Sequence, residues 1–429
     1  MRHYLRIVSN SQRFLPRGRR WFSGILAAVV LSGMLAGCAD SGGSKVINLY
    51  NAPQENLKTI VDRCNEEAAG DYKIVLNTLP RDADSQREQL VRRLAAGDSG
   101  MDVLGVDVTW TAELASAEWI LPWPDEQRAQ AEKGVLEAPL ETAMYEDEMF
   151  AAPYNTNVQL LWYRSDLMPE PAQTWDELID VAEELKAKGD PHYVEATGAQ
   201  YEGLVVWFNS LIESAGGSIL TENVKDVEMG DPAVEALEQL QRFSTSSAAN
   251  PSLSNTQEDQ ARLAMESGSS FAQVNWPFVY PSMVEGQPDM AKNFKWAPYP
   301  GIDGKGAAPL GGANFAVSSF SQNPDLAFDA ALCLRSPKNQ LTAATKDGLP
   351  PTIESVYSES EMEEAYPMRG AILDALENAA ARPVTPVYQN ISTVTSSVLS
   401  PPADIDPDSA QQQLRDQITL ALESKGVLP

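Results

Sequence analysis

Residues 150–164, with the sequence FAAPYNTNVQLLWYR, constrain how this chain can fold more than any other stretch. The first half combines a proline with the polar run 154–157, which is typical of an extended crossing segment. The second half, residues 158–163, is apolar apart from Gln159 and predicts a strand buried on both faces within a helix-covered sheet. The stretch therefore predicts a hinge-like crossing into a new sheet. An ordinary loop before a core strand is the alternative.

A second stretch of this kind spans residues 296–317, where prolines and a glycine-rich run precede the apolar segment 314–317. Two such crossings imply two lobes that the chain visits more than once. The length supports the same conclusion, because 429 residues exceed what one hydrophobic core usually supports.

The N-terminus has the order of a secretory leader. Residues 1–37 carry six arginines and no acid, and their apolar run at 21–35 is short for a membrane span. A buried core helix is the alternative. The sequence LAGC at 35–38 resembles the lipobox of bacterial lipoproteins, which implies a signal peptide at 1–37, lipidation of Cys38 and a flexible tether at 38–44. Arg19 and Arg20 indicate twin-arginine export only weakly, so ordinary secretion is favoured.

The chain is strongly acidic, with a formal net charge of −28 that becomes about −34 once the six leader arginines are removed. A body with this charge repels nucleic acid and anionic lipid head groups. We therefore expect a soluble domain with no nucleic-acid partner. Its lipid, and not its protein surface, would hold it at the extracytoplasmic face of the cell membrane.

Two cysteines, Cys64 and Cys333, remain after Cys38. An even pair in an exported protein predicts a disulfide, and two buried thiols are the alternative. The helical spacing of Cys64 with Leu57 and Ile60 favours burial of that thiol. We predict a Cys64–Cys333 bond.

Strands and helices alternate through the first part of the mature chain. The predicted strands are 46–50, 72–76 and 101–106, and the predicted helices are 53–69, one starting at the capping-box pattern of Ser85, and 109–119. This alternation predicts an α/β fold with βαβ units around a parallel sheet. Ligands bind beyond the carboxyl ends of such strands, so Asp107 is a candidate ligand residue. A cap for the following helix is the alternative. A second capping-box pattern, from Thr174 to Glu177, predicts the start of a later helix.

The residues available for catalysis are few. His192 is the only histidine of the mature chain, which argues against a catalytic triad or a histidine-ligated metal. No phosphate-binding glycine loop follows a strand. We therefore expect no cofactor, no metal and no enzymatic activity. Glycoside hydrolysis by the paired carboxylates of Asp107 and Glu266 is the remaining enzymatic alternative.

Several polar and aromatic residues at loop positions match the chemistry of a sugar site. Carboxylates, amides and a guanidinium pair with vicinal hydroxyls, and an aromatic ring covers the apolar face of a sugar. The candidates are Asp107, Asn157, Glu266, Trp276 and Arg382. Structural alternatives are a solvated helix end for Glu266, a core aromatic for Trp276 and a surface or ion-paired arginine for Arg382.

Several segments resemble family 1 extracellular solute-binding proteins, the sugar receptors of ABC importers. They are the lipobox, APYNTN at 152–157, LWYRSDL at 161–167 and TWDEL at 174–178. Others are similar to LpqY-type trehalose-binding lipoproteins: LPR at 79–81, VDVTW at 106–110, EGLVVWFN at 202–209, VNWPF at 274–278 and RPVTPVYQ at 382–389. The likeness covers essentially the whole mature chain.

The resemblance implies a two-lobe periplasmic-binding-protein fold of type II, like that of maltose-binding protein, with a hinged ligand cleft. The first lobe is expected at 45–155 and 303–340, and the second at 156–302 and 341–429. The family's ligand site would correspond to Asp107, Asn157, Glu266, Trp276, the backbone of Gly311 and Gly312, and Arg382.

The resemblance also implies the partners. They are a disaccharide, with trehalose favoured, and the permease subunits of an ABC importer, which a monomeric receptor would serve. A receptor for maltose or another α-glucoside is the first alternative. A secreted carbohydrate-active enzyme or a structural lipoprotein is the second.

Overall fold

The computed structural model of the chain describes residues 45–304 and 306–424. The predicted signal peptide, Cys38 and the tether lie outside the described residues. The strands within them are β1 Lys45–Asn51, β2 Tyr72–Thr78, β3 Val103–Asp107, β4 Met144–Tyr145, β5 Glu148–Met149, β6 Ala151–Val158, β7 Leu160–Arg164, β8 Tyr193–Glu195, β9 Ser270–Asn275, β10 Phe294–Ala297 and β11 Leu310–Val317.

The helices of the described residues follow the same chain order. They are α1 Leu57–Glu67, α2 Ala83–Ala95, α3 Thr111–Ser116, α4 Asp125–Glu132, α5 Glu137–Glu141, α6 Trp175–Lys188, α7 Glu202–Ser214, α8 Asp231–Thr245, α9 Glu258–Glu266, α10 Val279–Gly286, α11 Pro288–Ala291, α12 Pro324–Leu334, α13 Pro337–Asp347, α14 Ser360–Ala365, α15 Arg369–Leu376, α16 Tyr388–Leu399 and α17 Pro407–Leu422. No helix in this part of the chain combines the length and apolar character that crossing a membrane requires.

The first sheet has the strand order β2-β1-β3-β11-β6. β1 runs parallel to β2 and β3, as the alternation predicted, while β11 runs antiparallel to both of its neighbours. Apolar side chains cover both faces, because successive strand residues point to opposite sides. Ile47 and Leu49 pack with α1 and α12, whereas Leu104 and Val106 pack with α2 and α3. We call this sheet and its two helical layers the first-sheet body.

The second sheet has the order β10-β7-β9-β8, and only β8 and β9 run parallel in it. A large apolar cluster joins the sheet to α6, α7 and α8 and to the C-terminal helices α16 and α17. We call this group the second-sheet body. Two helix-covered sheets confirm the predicted α/β class.

The first passage between the sheets is shorter than the sequence predicted. β6 ends at Val158 in the first sheet and β7 begins at Leu160 in the second, so Gln159 alone separates them. The polar run 154–157 is part of β6 and not an irregular crossing, because β11 pairs along it. The predicted lobe boundary between residues 155 and 156 thus falls inside a strand of the first sheet.

Two helix starts test the predicted capping boxes. Thr174 is the N-cap of α6 and accepts a hydrogen bond from the Glu177 N–H, as predicted. Helix α2, in contrast, begins after Asp82, whose carboxylate accepts the Ser85 N–H at 2.8 Å. The prediction that Ser85 starts this helix is wrong, because Asp82 supplies the cap three residues earlier.

A disulfide joins Cys64 of α1 to Cys333 of α12, both within the first-sheet body. We expect mass spectrometry of the unreduced protein to find the two cysteines in one linked pair of peptides. In the chain-entropy account, closing a loop of 269 residues stabilises the fold by about 5–6 kcal/mol, so reduction should lower the melting temperature. Two free thiols in the unreduced protein would contradict this expectation.

Glu213, in the last turn of α7, gives the fold a defined pH response. Burial, and then the charge of Glu228, raise the pKa of the Glu213 carboxyl to about 7. The folded state therefore holds this proton more tightly than the unfolded chain, and stability is lost as the pH rises from about 4.5 through 7.

We expect Glu213→Gln to raise the melting temperature by roughly 1–3 °C at pH 8 and to leave it nearly unchanged at pH 4.5. Glu184→Gln, at an exposed acid of α6, is the matched control and should change little at either pH. An equal effect of Glu213→Gln at both pH values would show that its charge is not the cause.

Candidate ligand-binding site

Asp107 is the last residue of β3, at the carboxyl end of the parallel part of the first sheet. Its Oδ1 accepts hydrogen bonds from the Thr109 N–H at 3.0 Å and the Thr109 hydroxyl at 2.7 Å, in the turn that precedes α3. Helix α3 begins at Thr111 after its N-cap Trp110 and has no side-chain cap, so the capping alternative for Asp107 is wrong. Oδ2 accepts no hydrogen bond within the described residues. The side chain is 24% exposed, which leaves Oδ2 available to a hydroxyl donor.

Arg382 lies between α15 and α16 and reaches the same place from the second-sheet body. Its side chain is only 3% exposed, so the surface-arginine alternative is wrong. Nη2 donates to Oδ1 of Asp107 and to the Leu310 carbonyl, each at 3.4 Å, and Nη1 donates to Glu202. Nε is buried with no partner among the described residues. The guanidinium is therefore fixed in position with one donor unused.

Glu202, the first residue of α7, holds Arg382 in place. Oε1 accepts from Arg382 and from the Tyr388 hydroxyl, and Oε2 accepts from Ser392. Burial raises the pKa of the Glu202 carboxyl, although Arg382, Ser392 and Tyr388 oppose that shift. These three partners of Glu202 lie within residues 382–392, so the contacts that hold the Arg382 guanidinium on Glu202 do not involve Asp107.

The charges of Asp107, Arg382 and Glu202 alternate in sign. Burial alone lowers the pKa of the Arg382 guanidinium, but the negative charges of Asp107 and Glu202 outweigh it and raise the pKa above its ordinary value. Arg382 therefore stays charged at every physiological pH. It is a cation between two acids, one from each body.

Trp276 lies directly after β9, and its half-buried indole packs against Gly311 of β11. A Cβ added to Gly311 would lie 2.8 Å from the indole ring and 3.5 Å from Asn157 Cβ. Only glycine allows this approach, so the ring forms a flat apolar surface where the two bodies meet. The core-aromatic alternative for Trp276 does not account for its exposed part.

Asn157 and Gly312 lie beside that ring for different reasons. Asn157 pairs with Gly311 in the β6–β11 ladder, and its Oδ1 is buried with no hydrogen-bond partner in the described structure. Gly312 has a φ of +133°, and a Cβ there would approach the Asn155 carbonyl to 2.4 Å. The backbone conformation thus explains why residue 312 is a glycine. Asn157, in contrast, has an unpartnered acceptor oxygen that a ligand could use.

Glu266 is not brought together with these residues. It ends α9, where its carboxylate accepts from Arg262 at 2.8 Å and from the Ser282 hydroxyl at 2.7 Å. The acid of this helix that lies beside Trp276 is Glu258, its first residue. Burial raises the pKa of the Glu258 carboxyl, and the nearby Tyr201 hydroxyl and Trp276 indole oppose the shift.

Sequence reasoning missed Glu202 and Glu258, and each miss has a physical cause. Glu202 begins a helix that is otherwise apolar and was assigned to the core; a lone acid at such a helix start was the available signal. Glu258 was missed because only the end of this helix, at Glu266, was considered as a ligand position, and the acid at its first position was not.

The site can recognise hydroxyl groups. It offers a free carboxylate oxygen on Asp107, an unused amide oxygen on Asn157, an unused N–H on Arg382 and the face of Trp276. Such a set fits a polyhydroxylated ring better than a metal ion. No group of three or more His, Cys, Asp or Glu side chains in the described residues is arranged to hold a metal.

Comparison of the sequence with known proteins identifies a matching family and several relatives. The sequence profile of bacterial extracellular solute-binding proteins matches residues 50–341. The probable ABC transporter-binding protein of Deinococcus radiodurans is 29% identical over 358 residues, covering 79% of this chain and 84% of that protein. The lactose-binding protein of Rhizobium radiobacter is 25% identical, covering 71% of this chain and 73% of that protein.

Solved structures share the fold. Maltose-bound MalE3 of T. maritima has a TM-score of 0.81 at 24% identity, covering 88% of this chain and all of that one. The GacH receptor of Streptomyces glaucescens, solved unliganded and with acarbose, has a TM-score of 0.77 at 22% identity, covering 89% of this chain and all of that one. The predicted maltose-binding-protein-like fold is thus confirmed.

Proposed function

The chain belongs to the bacterial extracellular solute-binding protein family, and we propose that it is the lipid-anchored receptor of an ABC sugar importer that captures a disaccharide, trehalose. The observation that carries this proposal is the meeting of Asp107 and Arg382 beside Trp276. One residue comes from each sheet body, and each keeps an unused polar atom. Only a ligand that lies between the bodies can use both atoms at once.

The chemistry of these groups fits a disaccharide. The Asp107 carboxylate accepts from sugar hydroxyls, and the Arg382 fork donates to them. The half-buried face of Trp276 covers the C–H side of a sugar ring. A ligand of this kind gains most of its affinity when the two bodies close around it and exclude water.

The capture step is a hinge closure between two lobes, the predicted 45–155 with 303–340 and 156–302 with 341–429, with the first boundary moved from 155/156 to Gln159 because β6 belongs whole to the first sheet. The short passage at Gln159 and the segment between β10 and β11 would act as hinges. Periplasmic binding proteins use closure of this kind, in which a few residues at element ends take up the rotation. The closed form would then dock on the permease.

The proposal that the ligand is trehalose rests on the segments that resemble LpqY-type lipoproteins, above all 106–110, 274–278 and 382–389. These segments contain Asp107, Trp276 and Arg382. The relatives named for maltose, lactose and acarbose support a sugar ligand, and other structural relatives are named with tagatose, ribitol or mannitol. Maltose or another α-glucoside is the second candidate, because a change in one hydroxyl position would alter which partner is unpaired.

The predicted signal peptide and lipobox indicate where in the cell the proposed receptor would act. Cys38 would be acylated after cleavage and would anchor a monomer on the extracytoplasmic face of the membrane, with residues 38–44 as a flexible tether. Replacement of Cys38 with alanine should release the protein from membranes into the soluble fraction. The ABC permease subunits would be its protein partners.

A thermal-shift panel of trehalose, maltose, sucrose and glucose tests the ligand. We expect trehalose to raise the melting temperature most, because ligand at 100 times its dissociation constant adds about 2.7 kcal/mol to stability. A larger shift with maltose would favour the second candidate. No shift with any sugar at millimolar concentration would contradict a sugar receptor.

A separate assay tests the enzymatic alternative, in which carboxylates hydrolyse a glycosidic bond. Incubation with trehalose or maltose should release no glucose, because a receptor only binds. Release that depends on the protein and disappears in Asp107→Asn would favour the enzyme.

A further inference from the structure

The start of helix α2 makes contacts with the second-sheet body that the proposed sugar site does not use. Asp82 already caps this helix. The next acid, Asp84, accepts a hydrogen bond from the Gln389 side-chain amide of α16 at 3.3 Å. Its carboxylate also lies within hydrogen-bonding reach of the backbone N–H of Glu202, the first residue of α7.

Helix α7 needs an acceptor at this end. Its N-cap residue, Tyr201, makes no side-chain capping hydrogen bond. The first N–H groups of a helix have no partner within it, and the helix dipole makes that end positive. A carboxylate satisfies both requirements. Asp84 supplies it from the opposite sheet body.

A second contact strengthens the same junction. Arg81, three residues before Asp84, forms an ion pair with Asp259 of α9 at 2.9 Å. Arg81 is 77% exposed, so this pair contributes little to stability by itself. Together, however, residues 81–84 contact α7, α9 and α16 of the second-sheet body. This junction is separate from the pairing of Asp107 with Arg382.

We propose that Asp84 is a positioning residue for sugar capture, which docks the first-sheet body onto the start of α7 and thereby sets the separation at which Asp107 meets Arg382. Glu202 connects the two events, because its backbone N–H faces Asp84 and its carboxylate holds Arg382. This inference rests on the proposed function, because the separation between Asp107 and Arg382 affects capture only if both residues bind the sugar. The Asp84 contacts join protein groups only, so they stabilise the closed arrangement whether or not sugar is bound.

The test compares Asp84→Ala, Gln389→Ala and the double variant by stopped-flow measurement of trehalose release. Asp84→Ala should release trehalose at least tenfold faster, because it removes the contacts with both Gln389 and the Glu202 N–H, and Gln389→Ala should have a smaller effect, because it removes only one of them. The double variant should be little faster than Asp84→Ala, because Asp84→Ala already removes the Gln389 contact. Glu88→Ala, at an exposed acid of the same helix paired with Arg92, is the matched control and should release at the wild-type rate.

A purely structural role would lower the melting temperature without changing the release rate, and that result would overturn the inference. Asp84→Glu should recover slow release in part, because it keeps the carboxylate. Wild-type release and affinity in Asp84→Ala would also overturn the inference while leaving the proposed function intact.

If no sugar binds the wild-type protein, the proposed function fails, and small-angle X-ray scattering of the ligand-free proteins decides the docking role. A larger radius of gyration in Asp84→Ala than in the wild type and Glu88→Ala would support it. Equal radii would overturn it.

Discussion

Arg382→Ala is expected to abolish measurable trehalose binding and to lower the free energy of unfolding by about 3–5 kcal/mol, as when one partner of a buried ion pair is removed. The Arg382 side chain is 3% exposed and lies between Glu202 and Asp107. Without it, the Glu202 carboxylate stays buried with hydroxyl donors alone, and the sugar loses its cationic donor. Titration calorimetry and denaturant unfolding curves measure the two effects.

Two further variants separate affinity from stability. Arg382→Ala combined with Glu202→Gln should regain much of the stability, because the buried charge is gone, and should still fail to bind sugar. Arg242→Ala removes a 61% exposed arginine paired with Asp176 and should bind normally, with stability within about 0.5 kcal/mol of wild type. Wild-type affinity in Arg382→Ala would mean that the site lies elsewhere.

Asp107→Ala should weaken trehalose binding by a factor of about 10–150, the range that corresponds to 1.5–3 kcal/mol for a hydrogen bond to a charged group. The loss is expected at Oδ2, which accepts no hydrogen bond within the described residues. The same change also removes the two hydrogen bonds that Oδ1 accepts from Thr109 in the turn before α3, at a cost of about 1 kcal/mol in stability.

Asp107→Asn distinguishes these two roles. Its amide oxygen can still accept from Thr109, so the unliganded protein should melt close to wild type, while the charge that strengthens sugar binding is lost. Normal affinity in both variants, with reduced stability only in Asp107→Ala, would reduce Asp107 to a residue that stabilises the turn before α3.

Local patterns predicted the elements that depend on neighbouring residues. The three parallel strands β1, β2 and β3 follow from alternation over short spans, and the Thr174 capping box set the start of α6 correctly. The insertion of β11 between β3 and β6 could not be predicted in this way. It pairs residues about 200 positions apart, such as Ala313 with Asp107, and only tertiary packing selects that partner.

The candidate site shows the same division. Asp107 was identifiable because the end of a buried strand is a local feature. The pairing of Arg382 with Glu202 spans 180 residues, and no spacing in the sequence connects them. Glu266 was chosen as an acid at a helix end, whereas Glu258, at the other end of the same helix, is the acid that lies near Trp276, and no local pattern in the sequence shows which end faces that ring.

A crystal structure of the protein grown with saturating trehalose is the most direct test of the proposed sugar site. We expect one disaccharide between the two sheet bodies, with a hydroxyl at hydrogen-bonding distance from Oδ2 of Asp107, another near Arg382, and a sugar ring against Trp276. Trehalose bound at any other place, or a gap between the bodies that contains no sugar at saturating concentration, would contradict it.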